Sequence, residues 1–290
     1  MIGDKKMFDS TKIMPAEKFA FTFKALGKGR WAVLSDGEHV GELDESGDTN
    51  SLESTASLED VLRNFDVFIE MRPEYYLGHV SEYVKSLSSD PREHIHLFEH
   101  LLAACFLAKG DPKNEAATLS KLNRCLDWIR ASTFYTDPAS SVYHESYEGG
   151  LLHHTLKVAA RLAELHDTPA FESVPLESAV LVALTHDWCK IGFYEKYTKN
   201  VKNEVTNTWE KVAAFRRTDS KVPLGHGAAS MFMAGQFIHL SLAEAAAIRW
   251  HMGKWRCTDD ENDELQRANE EHPLVHLVQF ADQLSIVNYI

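Results

Sequence analysis

The stretch Ala183-Leu184-Thr185-His186-Asp187-Trp188-Cys189-Lys190 ends an apolar, helix-forming run with an adjacent histidine and aspartate. An unpaired carboxylate in apolar surroundings is costly, so Asp187 needs a metal ion, another cation or water beside it. Imidazole and carboxylate are common ligands of transition metals. The stretch therefore predicts that His186 and Asp187 bind a metal ion at the end of a buried helix.

The composition indicates a globular protein with room for one large or two modest domains. Its 290 residues are 44% hydrophobic, which is enough to fill a core. No apolar run approaches the roughly 20 residues that cross a bilayer, and residues 1–12 lack the apolar core of a signal peptide, so we expect a cytoplasmic protein. The four cysteines form no CxxC pair and are expected to be reduced and structural.

The charge of the chain bears on its partners. The formal net charge of -13 disfavours broad capture of nucleic acid, which requires a basic surface. A small anionic substrate is compatible with this charge, because bound metal ions can dominate the local electrostatic field. We expect a small phosphorylated substrate such as a nucleotide rather than a single strand of nucleic acid, although Arg216-Arg217 and residues 196–202 are basic patches able to guide a strand. No membrane partner is indicated, and the oligomeric state stays open.

The first 57 residues are predicted to form a small β-containing segment. Residues 19–43 alternate apolar and polar side chains around glycine turns, which favours a hairpin or a small sheet. The following residues, 44–57, are rich in acidic and small polar side chains, which is typical of a solvated loop.

The rest of the chain is predicted to be helical, so the fold class is mainly α. Residues 58–131 show a helical apolar period, beginning with Leu58, Val61, Leu62 and Phe65 and continuing in predicted helices over 75–87, 93–109 and 113–131. The polar residues 132–148 are expected to connect this region to a C-terminal helical domain over 149–290.

This C-terminal domain presents ligand-type residues on five helices or helix ends. Six ligands exceed the three or four of a single catalytic zinc, and they fit two divalent ions, of Fe, Mn, Zn, Co or Ni, with Asp187 as the bridge. The predicted ligands are His154, His186, Asp187, His226, His251 and Asp282.

The same residues carry a family resemblance. The string Gly-Gly-Leu-Leu-His-His-Thr-Leu at residues 149–156, the His186-Asp187 pair and the distant Asp282 resemble the HD-domain superfamily of metal-dependent phosphohydrolases, over roughly residues 145–290. With the additional His226 and His251, the ligand pattern resembles that of the binuclear subset of this superfamily. The subset includes phosphodiesterases, some exonucleases and mixed-valent diiron oxygenases. Trp188-Cys189 departs from the Ile-Gly common in the family. The resemblance implies an all-helical HD-type domain and a phosphoric ester hydrolase.

For such an enzyme we expect metal-assisted hydrolysis of a phosphoester at Asp187. Lys190 is a candidate contact to a phosphate oxygen, and Arg249, two residues before His251, is a second. Candidates for the entrance are Tyr143, His144 and Tyr147. Because ligand imidazoles must be unprotonated, we expect metal loss and falling activity below about pH 6.

Two other functions stay open on the sequence. The same ligands can serve a diiron oxygenase that activates O2 on a small organic substrate, with Tyr143, Glu145 or Glu148 regulating access. Alternatively the metal site is structural and the protein is a non-catalytic regulator whose N-terminal half binds a partner. An anaerobic assay separates the first from hydrolysis, and substitution of Asp187 separates the second.

Overall fold

The computed structural model divides the chain into two compact units, Met1–Tyr76 and Leu77–Ile290. The division expected from sequence at residues 57, 131 and 148 stays a prediction. The residues that the structure describes are 22–27, 30–35, 38–44, 49–52, 77–111, 113–218, 223–255 and 257–287.

The first unit contains an antiparallel sheet in the strand order β1-β2-β3-β4. Its strands are β1 (Thr22–Gly27), β2 (Arg30–Ser35), β3 (Glu38–Asp44) and β4 (Thr49–Leu52). This confirms the small sheet predicted over 19–43, of which residues 19–21 lie outside the described residues. The predicted loop over 44–57 was wrong in part, because Thr49–Leu52 pairs with β3, for example Glu42 with Ser51. Backbone pairing at a sheet end needs no apolar side chains, so the polar composition concealed the strand.

The helical period that begins at Leu58, Val61, Leu62 and Phe65 also lies outside the described residues and stays a prediction. The second unit confirms the mainly α class. Its helices are α1 (Val80–Ser86), α2 (Pro91–Lys109), α3 (Glu115–Ala131), α4 (Gly150–His166), α5 (Leu176–Thr185), α6 (His226–Ala234), α7 (Leu242–Trp250), α8 (Asp259–Glu271) and α9 (Pro273–Ser285). Among the described residues, no helix combines the length and apolar composition needed to cross a bilayer.

The expectation that residues 149–290 are all-helical needs correction. The polar residues between α5 and α6 form a two-stranded antiparallel hairpin of β5 (Tyr194–Asn203) and β6 (Thr208–Arg217). Most side chains of both strands are exposed, so no apolar face marks the strands in the sequence. Helix α8 was also not predicted, since its sequence is almost entirely polar and only Leu265 is buried.

Helix α5 is the centre of the second unit. Every residue from Ser178 to Thr185 is buried, and the helix packs against α2, α4, α6, α7 and α9. A short helix that is apolar all round has to be surrounded by others. The polar pair His186-Asp187, which follows α5, is therefore delivered into the interior of the bundle.

The start of helix α7 is anchored to α2. At its start Ser241 and Glu244 form a reciprocal capping box, and the buried Glu244 carboxylate also accepts a hydrogen bond from Lys109 of α2. At its end the chain reaches His251. The contact between α2 and α7 thus holds the segment that carries a predicted ligand.

Candidate metal centre

The structure brings the six predicted ligands together. His154 lies on α4, His186 follows α5, and Asp187 precedes a 3-10 turn at Trp188–Lys190. The other three are contributed by the start of α6, the end of α7 and the body of α9: His226, His251 and Asp282. Four of the six side chains are buried, and those of His226 and Asp282 are partly exposed.

Asp187 lies at the centre of this set, and its two oxygens face different histidines. Oδ2 is 3.3 Å from His186 Nε2 and 3.5 Å from His154 Nε2. Oδ1 is 2.7 Å from His226 Nε2 and 3.6 Å from His251 Nε2. A carboxylate that faces two histidines with each oxygen has the arrangement that a bridge between two ions requires.

His186 and His251 are oriented by the same local device. Each follows the last residue of a helix, and its Nδ1 donates a hydrogen bond to the carbonyl three residues earlier, at 2.8 Å to Ala183 and Ile248 respectively. The carbonyl can only accept, so Nδ1 carries the proton and Nε2 presents its lone pair to the interior. Both Nε2 atoms are buried and make no hydrogen bond with any described residue.

His154 is oriented from the opposite side by α9. The Ser285 hydroxyl donates to the Asp282 carbonyl at 2.7 Å, so it accepts from His154 Nδ1 at 3.4 Å. His154 Nε2 then lies 3.1 Å from Asp282 Oδ1. Ser285 of α9 thus orients the imidazole through Nδ1, and Asp282 of the same helix contacts its Nε2.

His226 reaches the site because a glycine lies on each side of it, Gly225 and Gly227. Gly225 has φ of 76°, which favours glycine, and a Cβ on Gly227 would lie 2.1 Å from the carbonyl oxygen of Arg249. The start of α6 can therefore approach the end of α7 closely enough to place the rings of His226 and His251 5.2 Å apart.

Trp188 and Cys189, the departure from the family pattern, anchor the turn after Asp187. Trp188 is fully buried, its Nε1 donates to the Leu184 carbonyl at 2.9 Å, and its ring packs against Trp128. The Cys189 amide donates to Ser230 on α6, and its Sγ lies 3.3 Å from His226 Nδ1. The cysteine therefore contacts the outer nitrogen of a predicted ligand.

The carboxylates of the site are ionised. Burial opposes charge on Asp187, but the Lys190 ammonium and the His186 imidazole outweigh it and hold the pKa of Asp187 well below its usual range. Burial also opposes charge on Asp282, whose pKa is nevertheless lowered by a hydrogen bond with His154. Burial lowers the pKa of His226, yet the hydrogen bond with Asp187 prevails and raises it to about 10.

A cavity of about 450 Å³ is lined by three of the six predicted ligands, His226, His251 and Asp282. Among the predicted catalytic groups, Lys190 lines it and donates to Asp187 Oδ2 at 2.6 Å. Arg249 is not brought to the site, since its guanidinium binds Glu261 at 2.7 Å and lies over the Trp250 ring. Two residues along a helix turn a side chain by about 200°, so Arg249 lies on the face opposite to His251.

Of the predicted entrance residues, some line the cavity and others do not. Tyr143 and His144 line the cavity, and His144 Nε2 is buried without a hydrogen bond to any described residue. Tyr147 hydrogen-bonds His153 instead, and Glu148 pairs with Lys196. Glu145 has a positive φ of 42°, and its carboxylate binds Lys157 at 2.6 Å and lies 3.8 Å from His154 Nδ1.

Several residues of the site were missed from the sequence. Cys189 and Ser285 orient ligands, whereas Phe193, Tyr194 and Arg217 line the cavity. Each orienting residue contacts a predicted ligand that is distant in sequence, Cys189 contacting His226 and Ser285 contacting His154, so these contacts left no signal in the sequence. The basic pair Arg216-Arg217 was noticed, but the position of Arg217 at the cavity depends on the unpredicted hairpin.

The site fits divalent metal ions. Imidazole and carboxylate are suitable donors, and the unpartnered Nε2 atoms of His186 and His251 are two buried polar atoms that a metal ion satisfies. His154, His186 and Asp282 place ligand atoms within 4.8 Å of one another, and so do His186, Asp187 and His251.

Comparison with known proteins supports this interpretation. Residues 151–286 match the family model of the HD domain. Searches of the curated proteins and of the solved structures gave no match.

Proposed function

We propose that the protein is a phosphodiesterase with a binuclear metal centre, because residues 151–286 match the HD-domain family model and that superfamily consists largely of metal-dependent hydrolases. Its substrate is a nucleotide or another phosphoester. The arrangement of Asp187 carries the proposal. Its Oδ2 faces His154 and His186, which with Asp282 would hold one ion, and its Oδ1 faces His226 and His251, which would hold the second.

The bound ions would supply Lewis acidity toward phosphoryl oxygens and lower the pKa of water. The chain's own groups then bind and orient the substrate. Lys190 and Arg217 are the cations of the cavity, and both are suited to phosphate oxygens. His144 Nε2, buried and unpartnered, adds a polar contact in the same wall. Phe193, Tyr194 and Trp255 provide aromatic surface for a base and limit access of water.

Metal analysis tests the binuclear centre. Protein purified without chelator should contain two equivalents of metal, and His251→Ala should lose at least one because it removes a ligand. His276→Ala is the control, since His276 stacks on Phe280 away from the six ligands. One equivalent or none in the unmodified protein would contradict the binuclear proposal.

A hydrolysis assay tests the reaction. With bis(p-nitrophenyl) phosphate we expect metal-dependent release of p-nitrophenol that a chelator abolishes and that proceeds equally without O2. A protein that binds two ions but consumes O2 with an organic substrate, and does not hydrolyse phosphoesters, would be an oxygenase instead. Metal binding without either reaction would favour the regulatory alternative.

A further inference from the structure

The β5–β6 hairpin has two faces of different charge. Directly opposed residues of an antiparallel ladder lie on the same face, and the register here is regular throughout. One face, the cationic face, contains no carboxylate but three lysines, one arginine and three aromatic residues. Its opposed pairs are Tyr194 and Arg217, Lys196 and Phe215, Thr198 and Ala213, Asn200 and Lys211, and Lys202 and Trp209.

The second face is balanced. It carries Lys199 and Arg216 as cations and Glu195 and Glu210 as anions, on alternate residues of the same two strands. Arg216 is paired with Glu195, and Glu210 accepts a hydrogen bond from Asn203. The charge of the hairpin is therefore concentrated on one side, in a chain whose net charge is -13.

The cationic face begins at the candidate metal centre. Tyr194 and Arg217, its first pair, both line the cavity. From there the face extends along β5 to Lys202 over about 26 Å, the length of eight residues of a strand. It ends at Trp209, whose side chain is 70% exposed. The path is long enough for several nucleotides.

We infer that the cationic face of the β5–β6 hairpin binds single-stranded nucleic acid and directs it to the metal centre. Cations along a strand pair with successive phosphates, and exposed aromatic rings stack on bases without regard to sequence. The pair of Lys196 with Glu148 does not compete strongly, since both side chains are more than half exposed. Cleavage of the bound strand rests on the proposed function, whereas binding does not.

Two matched charge reversals test the inference on the full chain. Lys211 and Lys199 are exposed, lie on neighbouring rungs and face opposite sides. With a fluorescent 20-nucleotide oligothymidylate and chelator, we expect Lys211→Glu to weaken binding about tenfold and to reduce the salt slope by about 0.7. Lys199→Glu should change affinity less than about twofold. Equal weakening by both variants, or no binding by the unmodified protein, overturns the inference.

Trp209→Ala tests the stacking contribution. We expect about tenfold weaker binding of the oligothymidylate, with an unchanged unfolding temperature because the indole is exposed. A 20-base-pair duplex and vesicles of phosphatidylcholine with phosphatidylserine serve as other anionic partners. If either binds as tightly as the single strand and is insensitive to Trp209→Ala, the inference is wrong.

The two proposals fail separately. If the strand binds in chelator but is not cleaved when metal is added, and the small diester is not cleaved either, the hairpin inference stands and the proposed function fails. If the small diester is hydrolysed but no strand binds, the proposed function stands and the hairpin inference fails.

Discussion

The candidate metal centre and the β5–β6 hairpin belong to the same unit but differ in how their side chains are placed. The centre places carboxylates and imidazoles in the interior, where each nitrogen is oriented by a backbone carbonyl or a neighbouring side chain. The hairpin places lysines and aromatic rings in solvent, where only the alternation of a strand orients them. The contrast separates two tasks: changes in the centre should affect metal and fold together, whereas changes in the hairpin should affect binding alone.

The largest effect is expected from Asp187→Asn. The amide keeps the shape of the side chain but loses the charge that faces four histidines and Lys190. Hydrolysis and metal affinity should therefore fall by more than about 100-fold, which is the most that loss of a residue supporting a ligand typically costs. Oligothymidylate binding should change less than about twofold, because the hairpin is untouched. Retention of two metal equivalents in this variant would refute the bridging role.

Acidification should weaken metal binding by the centre while leaving strand binding by the hairpin unchanged, without any mutation. A proton and a metal ion compete for each imidazole Nε2, and the pKa of His226 is raised to about 10, so metal affinity should already fall from neutral pH downward, by about tenfold per pH unit for each proton gained. The lysines and Arg217 of the hairpin stay charged over this range, so strand binding should be nearly constant from pH 8 to 5.5. Metal content measured after dialysis gives the answer, and undiminished metal at pH 5 would contradict histidine ligation.

Gly227→Ala should damage the centre through the backbone. Its Cβ would lie 2.1 Å from the Arg249 carbonyl oxygen, so α6 must move away from α7 and carry His226 with it. Overpacking of this kind costs about 1–3 kcal/mol, although alanine in a helix is ordinarily favourable. Thermal unfolding and metal content should both decrease. Gly78→Ala is the control, because beyond its neighbours along the chain no described residue has an atom within 4 Å of the added Cβ.

The smallest effect is expected from Glu244, which caps α7 and pairs with Lys109 of α2. Burial opposes charge on Glu244, but the hydrogen bond from Lys109 outweighs it, and the pKa of Glu244 lies below its usual value. The ionised carboxylate therefore stabilises the native state at pH values above about 4.5, and this contribution disappears as pH falls through the lowered pKa. Glu244→Gln keeps the capping box and should cost about 1–2 kcal/mol at pH 7. In urea unfolding, a difference that does not narrow below pH 4.5 would exclude this explanation.

The six candidate ligands could be found in the sequence because each is a histidine or aspartate on a helix or at a helix end that the apolar pattern places. His186 and His251 end apolar runs, and His226 stands between glycines that the close approach to α7 requires. Their order along the chain matches a known family, and the structure brings all six together.

What escaped prediction depends on solvent-exposed pairing or on contacts distant in sequence. Most side chains of the hairpin are exposed, and the sequence of strand β4 is mainly polar, so no apolar pattern marked either of them. Arg249 was placed near the site by sequence distance alone, whereas helical geometry turns it to Glu261. Arg217 became a cavity residue only because β6 returns the chain to the cavity beside Tyr194. The expectation that a small substrate is favoured over a strand stays a prediction; it rested on net charge, which averages over the two faces of the hairpin.

Lys190 has a consequence for how the protein acquires metal. Its ammonium binds Asp187 Oδ2 at 2.6 Å in the interior, where the carboxylate would otherwise be a buried, uncompensated charge. The lysine thus supplies a compensating cation for Asp187 in the metal-free bundle. An ion held by Asp187 would take over that compensation, and Lys190, which lines the cavity, would then be available to a phosphate there.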